Sequence, residues 1–425
     1  MTEQVERFNQ IIKRIAGMLR GEQKVYLVGG AVRDFLLRRD IYDWDFAVEE
    51  DARPLARSVA NQLGGAYYVL DEERKTARVL VEFDRQKTVM DFATLRASSL
   101  LADLQDRDFT INAIALDLQD LNHLIDPLNG QADLKDKCLR HCSSESFKND
   151  PARVLRGLRM ALKYGFHLEK ATLLHLKEAI SLLPQVSIER QRDEFFKMFE
   201  AGQSRAAVEL MDRLGVLAVI LPDLQPLKHC EQSAPHVWDV WLHTLNILHQ
   251  SDILLDILTH AEEERRFSAE SLIPALSLGY LGKYRDRINM HFTVAPVPQR
   301  SRRALFIFSA LLHDIGKSLT RSVEPGGRVR FFDHEKKGAE LARRISEAWA
   351  LSNDEAEYVE KMLALHMRIH LLANNPALPD KRVIHRFFRD AGDLGVDLCI
   401  LSLADTLATR GTELPVDVWN KELQV

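Results

Sequence analysis

Short apolar runs in the first 140 residues predict β-strands at 25–29, 41–48, 66–71, 77–83 and 88–95, and the run at 41–48 alternates with the period of two that is typical of a strand. Two further apolar runs, at 111–118 and 124–130, close this region. The opening residues, up to 23, form an amphipathic pattern with charges throughout, which predicts a helix. Up to about residue 140 we therefore expect a mixed α/β domain with a small sheet.

From about residue 144 the apolar spacing changes to that of helices. Val154, Leu158 and Ala161 recur with a period of about 3.6 residues, which predicts an amphipathic helix. Similar patterns continue through 186–202 and 206–224. An all-α region therefore follows the mixed domain.

The segment 225–235 has the composition of a linker. Beyond it, the pattern is helical to about residue 410 except at 325–333 and near 291–299. Residues 250–300 have the character of an insertion within these helices. The whole pattern is that of an α+β chain in which a mixed domain precedes two all-α regions.

Length, composition and charge limit the expected number of domains, the cellular compartment and the kinds of partner. A chain of 425 residues suits two or three domains. No apolar run approaches the roughly 18 residues of a membrane helix, and the N-terminus lacks the apolar core of a signal peptide. The four cysteines form no CxxC pair, which argues against a zinc knuckle or a disulfide scaffold. We expect a reduced, cytoplasmic protein with no membrane contact. Because the net charge is -5, a nucleic-acid partner requires locally clustered basic residues.

The stretch "LVGGAVRD" places two glycines where a strand passes into a helix. Glycines there let backbone N–H groups approach a phosphate, and Arg33, one turn into the helix, is able to fork onto triphosphate oxygens. Gly29 and Gly30 by themselves are more often only a tight turn. The motif gains meaning from the stretch that follows it.

Asp43 and Asp45 stand at i and i+2 of the next predicted strand, so their side chains project side by side. Such a pair can hold two Mg²⁺ ions. Asp91, on another predicted strand, is a possible third carboxylate. A lone DxD is usually a solvated strand face, but this one lies within about 15 residues of the glycines and precedes "RDFTINAIAL". Together these motifs favour nucleotidyl transfer.

The chain resembles the class II tRNA nucleotidyltransferase and poly(A) polymerase family in "LVGGAVRD", "DWDFAV", "DLQDRDFTINAIA" and "FKNDPARVLRGLRMALKYGF". The resemblance implies that Asp43 and Asp45 bind catalytic Mg²⁺. It also implies a set of nucleotide-binding residues, which are Gly29, Gly30, Arg33, Arg107, Asp108, Asn112, Asn149, Asp150, Arg153 and Arg156.

The resemblance further implies that the motif at Asn149, Asp150 and Arg153 reads the incoming base, and this role has a physical rationale. Asp150 and Arg153 are three residues apart, and an acceptor beside a forked donor can match a Watson–Crick edge. The alternative interpretation is a basic amphipathic helix that binds RNA phosphates. Two residues depart from the family motifs, since Asp106 replaces an arginine and Asn149 replaces a glutamate. These departures leave the choice of nucleotide open.

A second set of residues is spread over the C-terminal helices: His243, His313, Asp314, His334, His366 and Asp405. A single histidine on an amphipathic helix is more often a core or surface residue. An adjacent His-Asp within an apolar helix is different, because a buried carboxylate needs a partner and a metal supplies one.

This set resembles the HD superfamily of metal-dependent phosphohydrolases. Its ligands fall here on His243, His313, Asp314 and Asp405, and His334 and His366 match the extra histidines of two-metal members. Lys317 is then expected to face a phosphate.

The resemblances imply three domains: a nucleotidyltransferase head at 1–140, a helical neck at 141–228 and an HD domain at 229–425. The expected activity is addition of C, A or both to the tRNA 3′ end from CTP and ATP with Mg²⁺, without a nucleic-acid template. The HD domain, with a divalent metal, is expected to act as a phosphatase or cyclic phosphodiesterase on RNA 3′ ends. The alternatives are A-only, CC-only or poly(A) addition, or an HD phosphohydrolase whose head only binds RNA.

Overall fold

The computed structural model of the chain describes residues 3–21, 23–83, 86–260, 272–294, 300–411 and 414–425. It contains two compact units, Met1–Ala179 and Ile180–Val425. The boundary between the units falls inside the predicted neck, so the predicted domain limits at 140 and 228 stay predictions. The predicted fold class is confirmed, because a mixed α/β region with one main sheet precedes a helical region.

A seven-stranded sheet in the order β3-β4-β5-β2-β1-β6-β7 organises the first unit. Its strands are β1 (Val25–Val28), β2 (Asp43–Val48), β3 (Ala66–Asp71), β4 (Thr76–Phe83), β5 (Gln86–Thr94), β6 (Ala115–Asp117) and β7 (Leu124–Ile125). Strand β2 lies at the centre and pairs antiparallel with β1 and parallel with β5. The two sequence motifs therefore meet in the middle of the sheet.

Helices surround this sheet and continue to the end of the first unit. They are α1 (Glu3–Ala16), α2 (Gly30–Leu36), α3 (Ala52–Leu63), α4 (Leu100–Gln105), α5 (Gly130–Lys135), α6 (Ser146–Asn149), α7 (Arg153–Tyr164) and α8 (Lys170–Ala179). A short parallel pair, β8 (Cys138–Leu139) and β9 (His167–Leu168), ties α7 to the preceding chain.

Alternate side chains along β2 point to opposite faces of the sheet, one buried and one that carries carboxylates. Trp44 and Phe46 are buried, whereas Asp43 is exposed and Asp45 is half-buried. Phe46 stacks on Phe92 of β5 with ring centroids 4.8 Å apart, and Phe8 of α1 stacks on Trp44 at 5.5 Å. Burial of these rings fixes which face of the sheet carries the carboxylates.

Among its described residues, the second unit is helical apart from one hairpin, β10 (Arg321–Val323) with β11 (Val329–Phe331). Its helices are α9 (Ile188–Phe199), α10 (Ser204–Arg213), α11 (Val216–Ile220), α12 (Val240–Thr259), α13 (Leu272–Leu281), α14 (Arg285–Thr293), α15 (Arg302–Leu312), α16 (Lys317–Thr320), α17 (His334–Ala348), α18 (Asn353–Leu365), α19 (Met367–Ala373), α20 (Lys381–Ala391), α21 (Leu394–Arg410) and α22 (Val416–Gln424). No helix in the described ranges has the length and apolar character needed to cross a membrane.

An aromatic cluster joins α9, from the predicted neck, to the helices that follow it. Phe195 lies 4.7 Å from Trp349 and 6.2 Å from Phe308, measured between ring centroids. Phe196 lies 5.1 Å from Phe308. All of these rings are buried. The cluster contains rings from both sides of the predicted boundary at residue 228, so α9 packs as part of the second unit.

The structure adds detail to one run and corrects the prediction for another. Around the run at 111–118, a short 3₁₀ helix at Thr110–Asn112 precedes strand β6, which is three residues long. Helix α14 continues through Thr293, where a non-helical stretch was expected. Its end is held by tertiary contacts, because His291 hydrogen-bonds Asp397 at 2.6 Å and Phe292 packs against Phe306. The other part of that stretch, 295–299, and residues 261–271 of the predicted insertion lie outside the described residues.

We predict that Gly130→Ala destabilises the first unit. A Cβ at residue 130 would lie 2.2 Å from the carbonyl oxygen of Thr110, so the 3₁₀ turn that carries Asn112 would have to shift. The expected loss is about 1–3 kcal/mol of unfolding free energy, measured as a lowered midpoint of thermal unfolding. Gly326→Ala is the control, because no atom lies within 4 Å of its added Cβ. Equal midpoints for the two variants would contradict the prediction.

Candidate functional site

The turn between β1 and α2 requires glycine at residue 29. Gly29 has φ +73, a backbone conformation that favours glycine. A Cβ there would also lie 3.1 Å from Nη1 of Arg107 and 3.4 Å from Oδ2 of Asp45. The backbone of this turn therefore passes directly between a cation and a carboxylate of the predicted site. Gly30, the first residue of α2, would place a Cβ 3.3 Å from Nη2 of Arg33.

Three carboxylates lie side by side on two parallel strands. Asp43 and Asp45 project from β2, and Asp91 is the partner of Asp45 in the register of β5. Burial raises the pKa of Asp45, the negative charge of Asp91 raises it further, and Arg107 opposes both effects. A divalent cation would relieve this crowding of negative charge, so the donor set fits Mg²⁺ at Asp43 and Asp45.

Arg78 is a component of this site that the sequence did not reveal. It lies opposite Asp91 in the antiparallel β4–β5 pair. Its Nε donates to Oδ1 of Asp91 and its Nη2 donates to Oδ2, both at 2.8 Å. Both oxygens of Asp91 are therefore bound by one guanidinium. The predicted third metal carboxylate stands in place, but it faces a cation of the protein.

Arg33, Asn112 and Asp108 form a buried network behind the glycine turn. Nη1 of Arg33 donates to Oδ1 of Asn112 at 2.6 Å, and Nδ2 of Asn112 donates to Asp108 at 2.9 Å. The remaining fork of Arg33 binds Asp34 at 2.9 Å. In this arrangement Arg33, which was expected to reach the triphosphate, holds the turn and the 108–112 segment together.

The network closes on Arg156 of α7, whose Nε lies 2.6 Å from Oδ2 of Asp108. Burial acts to raise the pKa of Asp108, but Arg156, the amide of Asn112 and the backbone N–H of Phe109 outweigh it and lower the pKa below its ordinary value. Asp108 is therefore an ionised carboxylate that ties the head sheet to α7.

The predicted base-reading residues meet near the start of α7, but Arg153 points at the backbone. Its Nη2 donates to the carbonyl of Asp106 at 2.7 Å and its Nη1 donates to Oγ of Ser146 at 2.8 Å. Only Nε faces Asp150, at 3.8 Å. Asn149 and Asp106, the two departures from the family motifs, are both exposed.

All six predicted HD residues converge on one buried cluster in the second unit. They form two groups whose ligand atoms lie within 4.8 Å of one another: His243, His313 and Asp405, and Asp314, His334 and His366. Asp314 connects the groups, because its Oδ2 lies 3.1 Å from Nε2 of His313 and its Oδ1 lies 3.5 Å from Nε2 of His334.

The ring orientations fit metal ligands. The Nδ1 atoms of His313, His334 and His366 lie 2.8, 2.9 and 2.6 Å from backbone carbonyl oxygens. An N–H donated to a carbonyl leaves the Nε2 lone pair directed at the cluster. Nε2 of His313 and both ring nitrogens of His243 are buried without a hydrogen-bond partner among the described residues. These orphaned atoms, which all belong to the group of His243, His313 and Asp405, suit a divalent metal there.

Charges around the cluster keep its carboxylates ionised. Burial opposes ionisation of Asp314, but His313 and Lys317 hold its pKa well below the ordinary value. Burial and neighbouring His313 lower the pKa of His366 to about 3, so this imidazole is neutral at pH 7. Neutral imidazole and ionised carboxylate are the forms that bind a metal.

Two further side chains contact the carboxylates of the cluster. Nε2 of His370 lies 2.7 Å from Oδ2 of Asp405, a contact that the sequence analysis missed. Lys317, expected to face a phosphate, instead lies 2.6 Å from Asp314 and donates to Oε1 of Gln232 at 2.6 Å. His370 is four residues after His366, and that spacing was the available signal.

A close backbone approach sets the position of the two groups. A Cβ at Gly316, just after the His-Asp pair, would lie 2.1 Å from the carbonyl oxygen of His334 and 2.6 Å from the backbone nitrogen of Gly338. The turn before α16 therefore lies directly against the first turn of α17. Only glycine permits this contact.

Three family profiles match the chain in succession. Residues 25–140 match the poly A polymerase head domain, residues 165–228 match the probable RNA and SrmB-binding site of polymerase A, and residues 277–410 match the HD domain. His243, which lies in the buried cluster, precedes the part matched as HD.

Curated relatives match over most of the chain. The A-adding tRNA nucleotidyltransferase of Deinococcus radiodurans is 32% identical over 393 residues, which cover 91% of this chain and 76% of that protein. The CC-adding tRNA nucleotidyltransferase of Thermus thermophilus is 31% identical, with the same two coverages. The multifunctional CCA protein of Pseudomonas fluorescens is 30% identical and covers 76% of this chain and 70% of that protein.

Solved structures share the fold. A tRNA-processing enzyme in apo form I superposes with a TM-score of 0.62 at 22% identity, covering 100% of this chain and 98% of its own. A tRNA nucleotidyltransferase complexed with a primer tRNA and an incoming ATP analog superposes with a TM-score of 0.59 at 22% identity, covering 97% and 96%.

We predict that His243→Gln weakens divalent-metal binding at the buried cluster by at least about 10-fold, because it removes one imidazole from a group of three ligands. The measurement is metal content by mass spectrometry after equilibration with Mn²⁺. His249→Gln, on the same helix α12 and outside both groups, is the control and should bind as the wild type does. Unchanged Mn²⁺ binding in His243→Gln would remove His243 from the ligand set.

Proposed function

The chain belongs to the tRNA nucleotidyltransferase family, and with that membership as the premise we propose that it extends the 3′ end of tRNA with C, A or both. CTP and ATP are the proposed donors, and no nucleic-acid template is used. The observation that carries the proposal is the position of Asp45. This half-buried carboxylate lies between Asp91 and the Gly29 turn, where a triphosphate and a metal would meet.

The proposed reaction is an in-line displacement at phosphorus. The 3′-hydroxyl oxygen of tRNA gives its proton to solvent water and bonds to the α-phosphorus of the nucleotide. The bond to the bridging oxygen of the β-phosphate breaks, and pyrophosphate leaves. Asp43 and Asp45 would hold Mg²⁺, which when bound supplies charge neutralisation at the reacting phosphates. The open turn at Gly29 gives the triphosphate access to Arg107.

Asp150 and Arg153 are the proposed base readers. Asp150 offers an acceptor, and Arg153 offers a forked donor once it gives up its bonds to the carbonyl of Asp106 and to Ser146. Base selection would then be linked to the conformation of the turn at Asp106 and Arg107. Arg107 itself is held by Asp103 at 3.1 Å, so the two ends of this turn are fixed by different partners.

For the buried histidine–aspartate cluster we propose hydrolysis of a 3′-phosphate or a 2′,3′-cyclic phosphate at RNA ends. Such a phosphate blocks the hydroxyl that the head needs as nucleophile. His243, His313, Asp314 and Asp405, with His334 and His366, would hold divalent metals that polarise the phosphate and activate water. The two activities would then act in sequence on the same RNA end.

A second candidate is addition of only A or only CC. Two observations favour it. Relatives that match 91% of this chain are named A-adding in one case and CC-adding in another. Asp106 and Asn149 also depart from the family motifs at the positions next to Arg107 and Asp150, so nucleotide choice is where this chain differs.

The first experiment offers Mg²⁺ and CTP, ATP or both to tRNA transcripts that end before CCA, after C and after CC. Extension of the shortest transcript by C, C and A would support full CCA addition. Addition of A only to the transcript ending in CC, or of CC only to the shortest one, would support the second candidate. No incorporation by the wild type would overturn the transferase proposal and favour a phosphohydrolase with an RNA-binding head.

In this assay we predict that Asp43→Asn lowers incorporation by at least about 10²-fold, because it removes a charged metal ligand from the reacting phosphates. Asp120→Asn changes an exposed carboxylate in a turn of the same unit and serves as the control. Hydrolysis of 3′-phosphorylated RNA should be unaffected in both variants. Wild-type incorporation by Asp43→Asn would exclude Asp43 from the transferase site.

We predict that Arg78→Gln moves the acidic limb of the incorporation pH profile to higher pH by about one unit. Removal of the guanidinium leaves Asp91 without its bidentate partner, so the negative charge beside Asp45 is no longer offset. The pKa of Asp45, already raised, rises again, and activity is lost earlier as the pH falls. Arg78→Lys should shift the profile less. Arg57→Gln, an exposed arginine of α3, should leave the profile in place.

A further inference from the structure

Helix α20 (Lys381–Ala391) carries a dense basic face on the second unit. Its sequence, KRVIHRFFRDA, has four Lys or Arg residues and one acidic residue. At about 100° per residue, its basic positions fall within one arc of about 140°. These are Lys381, Arg382, His385, Arg386 and Arg389, and all of them are exposed. The opposite side is anchored, because Phe387 and Ala391 are buried.

The charges on this face are not neutralised by the protein. In the part of the chain that the structure describes, the side chains of Lys381, Arg382 and Arg386 make no ion pair and no hydrogen bond. Asp390, the acidic residue within α20, is bound by Arg389 at 2.8 Å and by Arg368 of α19 at 3.0 Å. Two arginines thus share one carboxylate, and the face keeps a surplus of positive charge.

This surplus contrasts with the rest of the molecule. The whole chain has a formal net charge of -5. The basic residues at the start of α7 are already engaged, because Arg153 binds backbone carbonyls and Arg156 pairs with Asp108. In the second unit, the exposed Lys337 and the half-buried Arg343 pair with glutamates. A polyanion therefore finds on α20 a positive surface beside which two carboxylates are already engaged, Asp380 by backbone N–H groups of the helix and Asp390 by two arginines.

An aromatic side chain borders the basic arc. Phe388 is 44% exposed, and its inner edge is fixed, because a Cβ on Gly395 would lie 2.4 Å from the ring. Ile384, one turn earlier, is also exposed. An immobilised ring beside unpaired cations suits RNA, whose phosphates bind cations and whose bases or sugars contact aromatic faces. A membrane fits less well, since the main apolar side of α20 is buried in the protein.

From this geometry we infer that α20 is an RNA-binding surface, which holds the phosphate backbone of the tRNA substrate away from the reacting 3′ end. The inference rests on the proposed function for the identity of the RNA. Lys381, Arg382 and Arg386 each contact phosphate, and Phe388 packs against a sugar or base. The surface contributes affinity for the whole tRNA and takes no part in the chemical step.

The test compares two triple variants of the full chain, using a tRNA transcript that lacks CCA and fluorescence anisotropy. Lys381→Ala, Arg382→Ala and Arg386→Ala together should raise the Kd for tRNA by about 10-fold or more and reduce the salt slope of binding by about 2 to 3. The control combines Lys337→Ala, Arg343→Ala and Lys361→Ala, which removes the same charge from residues that pair with glutamates. Its Kd should stay within about twofold of the wild type.

Further measurements separate the alternatives. A thermal midpoint equal to that of the wild type shows that the α20 variant is folded. An unchanged Kd in the α20 variant, or an equal loss in both triple variants, would overturn the inference. Binding of anionic phospholipid vesicles that requires Lys381, Arg382 and Arg386, with tRNA affinity intact, would assign the face to a membrane instead.

The failure of this inference differs from the failure of the proposed function. If the wild type extends tRNA and the α20 variant binds tRNA normally, only the α20 surface is wrong. If the wild type incorporates no nucleotide on any transcript, the transferase proposal is wrong, and the Kd comparison still decides whether α20 binds RNA. At saturating tRNA the α20 variant should keep the wild-type kcat, with the loss confined to KM.

Discussion

Buried negative charge is the constraint on which both sites depend. A carboxylate removed from water must be offset by a cation, by hydrogen bonds or by a metal. Asp108 is offset by Arg156 and Asn112, and Asp91 by Arg78. Burial raises the pKa of Asp45, the charge of Asp91 on the neighbouring parallel strand raises it further, and Arg107 offsets these effects only in part. The negative charge of Asp45 is therefore compensated only in part by the protein, and a bound cation would complete the compensation.

The same constraint is met differently in the second unit. Asp314 is flanked by His313, His334 and His366, whose ring orientation is set by backbone carbonyls rather than by other side chains. Two of these carbonyls, those of Ala310 and Leu363, lie in the last turns of α15 and α18, and the third, that of Phe331, lies in β11. The aromatic cluster of Phe195, Phe308 and Trp349 supports the helices that carry these residues. The geometry of the cluster thus depends on packing that begins in α9, within the segment predicted as neck.

The sequence predicted the parts that depend on local periodicity. The alternation of Trp44 and Phe46 with Asp43 and Asp45 fixed the faces of β2, and the 3.6-residue spacing in α7 located that helix. The six histidine and aspartate residues of the buried cluster were named from motifs, and the structure brings them together. Arg78 had no such signal, because its role follows from the register of β4 against β5. The inward orientation of Arg153 also had no signal in the sequence, because its partners are the backbone carbonyl of Asp106 and the hydroxyl of Ser146.

Gly316 has a consequence for how the second site can vary. Its missing side chain allows the turn after His313 and Asp314 to touch the first turn of α17, which begins at His334. The turn that carries His313 and Asp314 is thereby in direct contact with the segment that carries His334. A methyl group at this position would lie 2.1 Å from the carbonyl oxygen of His334, so it would force the two segments apart. The spacing between the two ligand groups therefore depends on the absence of a side chain at Gly316. Substitutions in distant helices can change the surroundings of the cluster without changing the distances between its ligands.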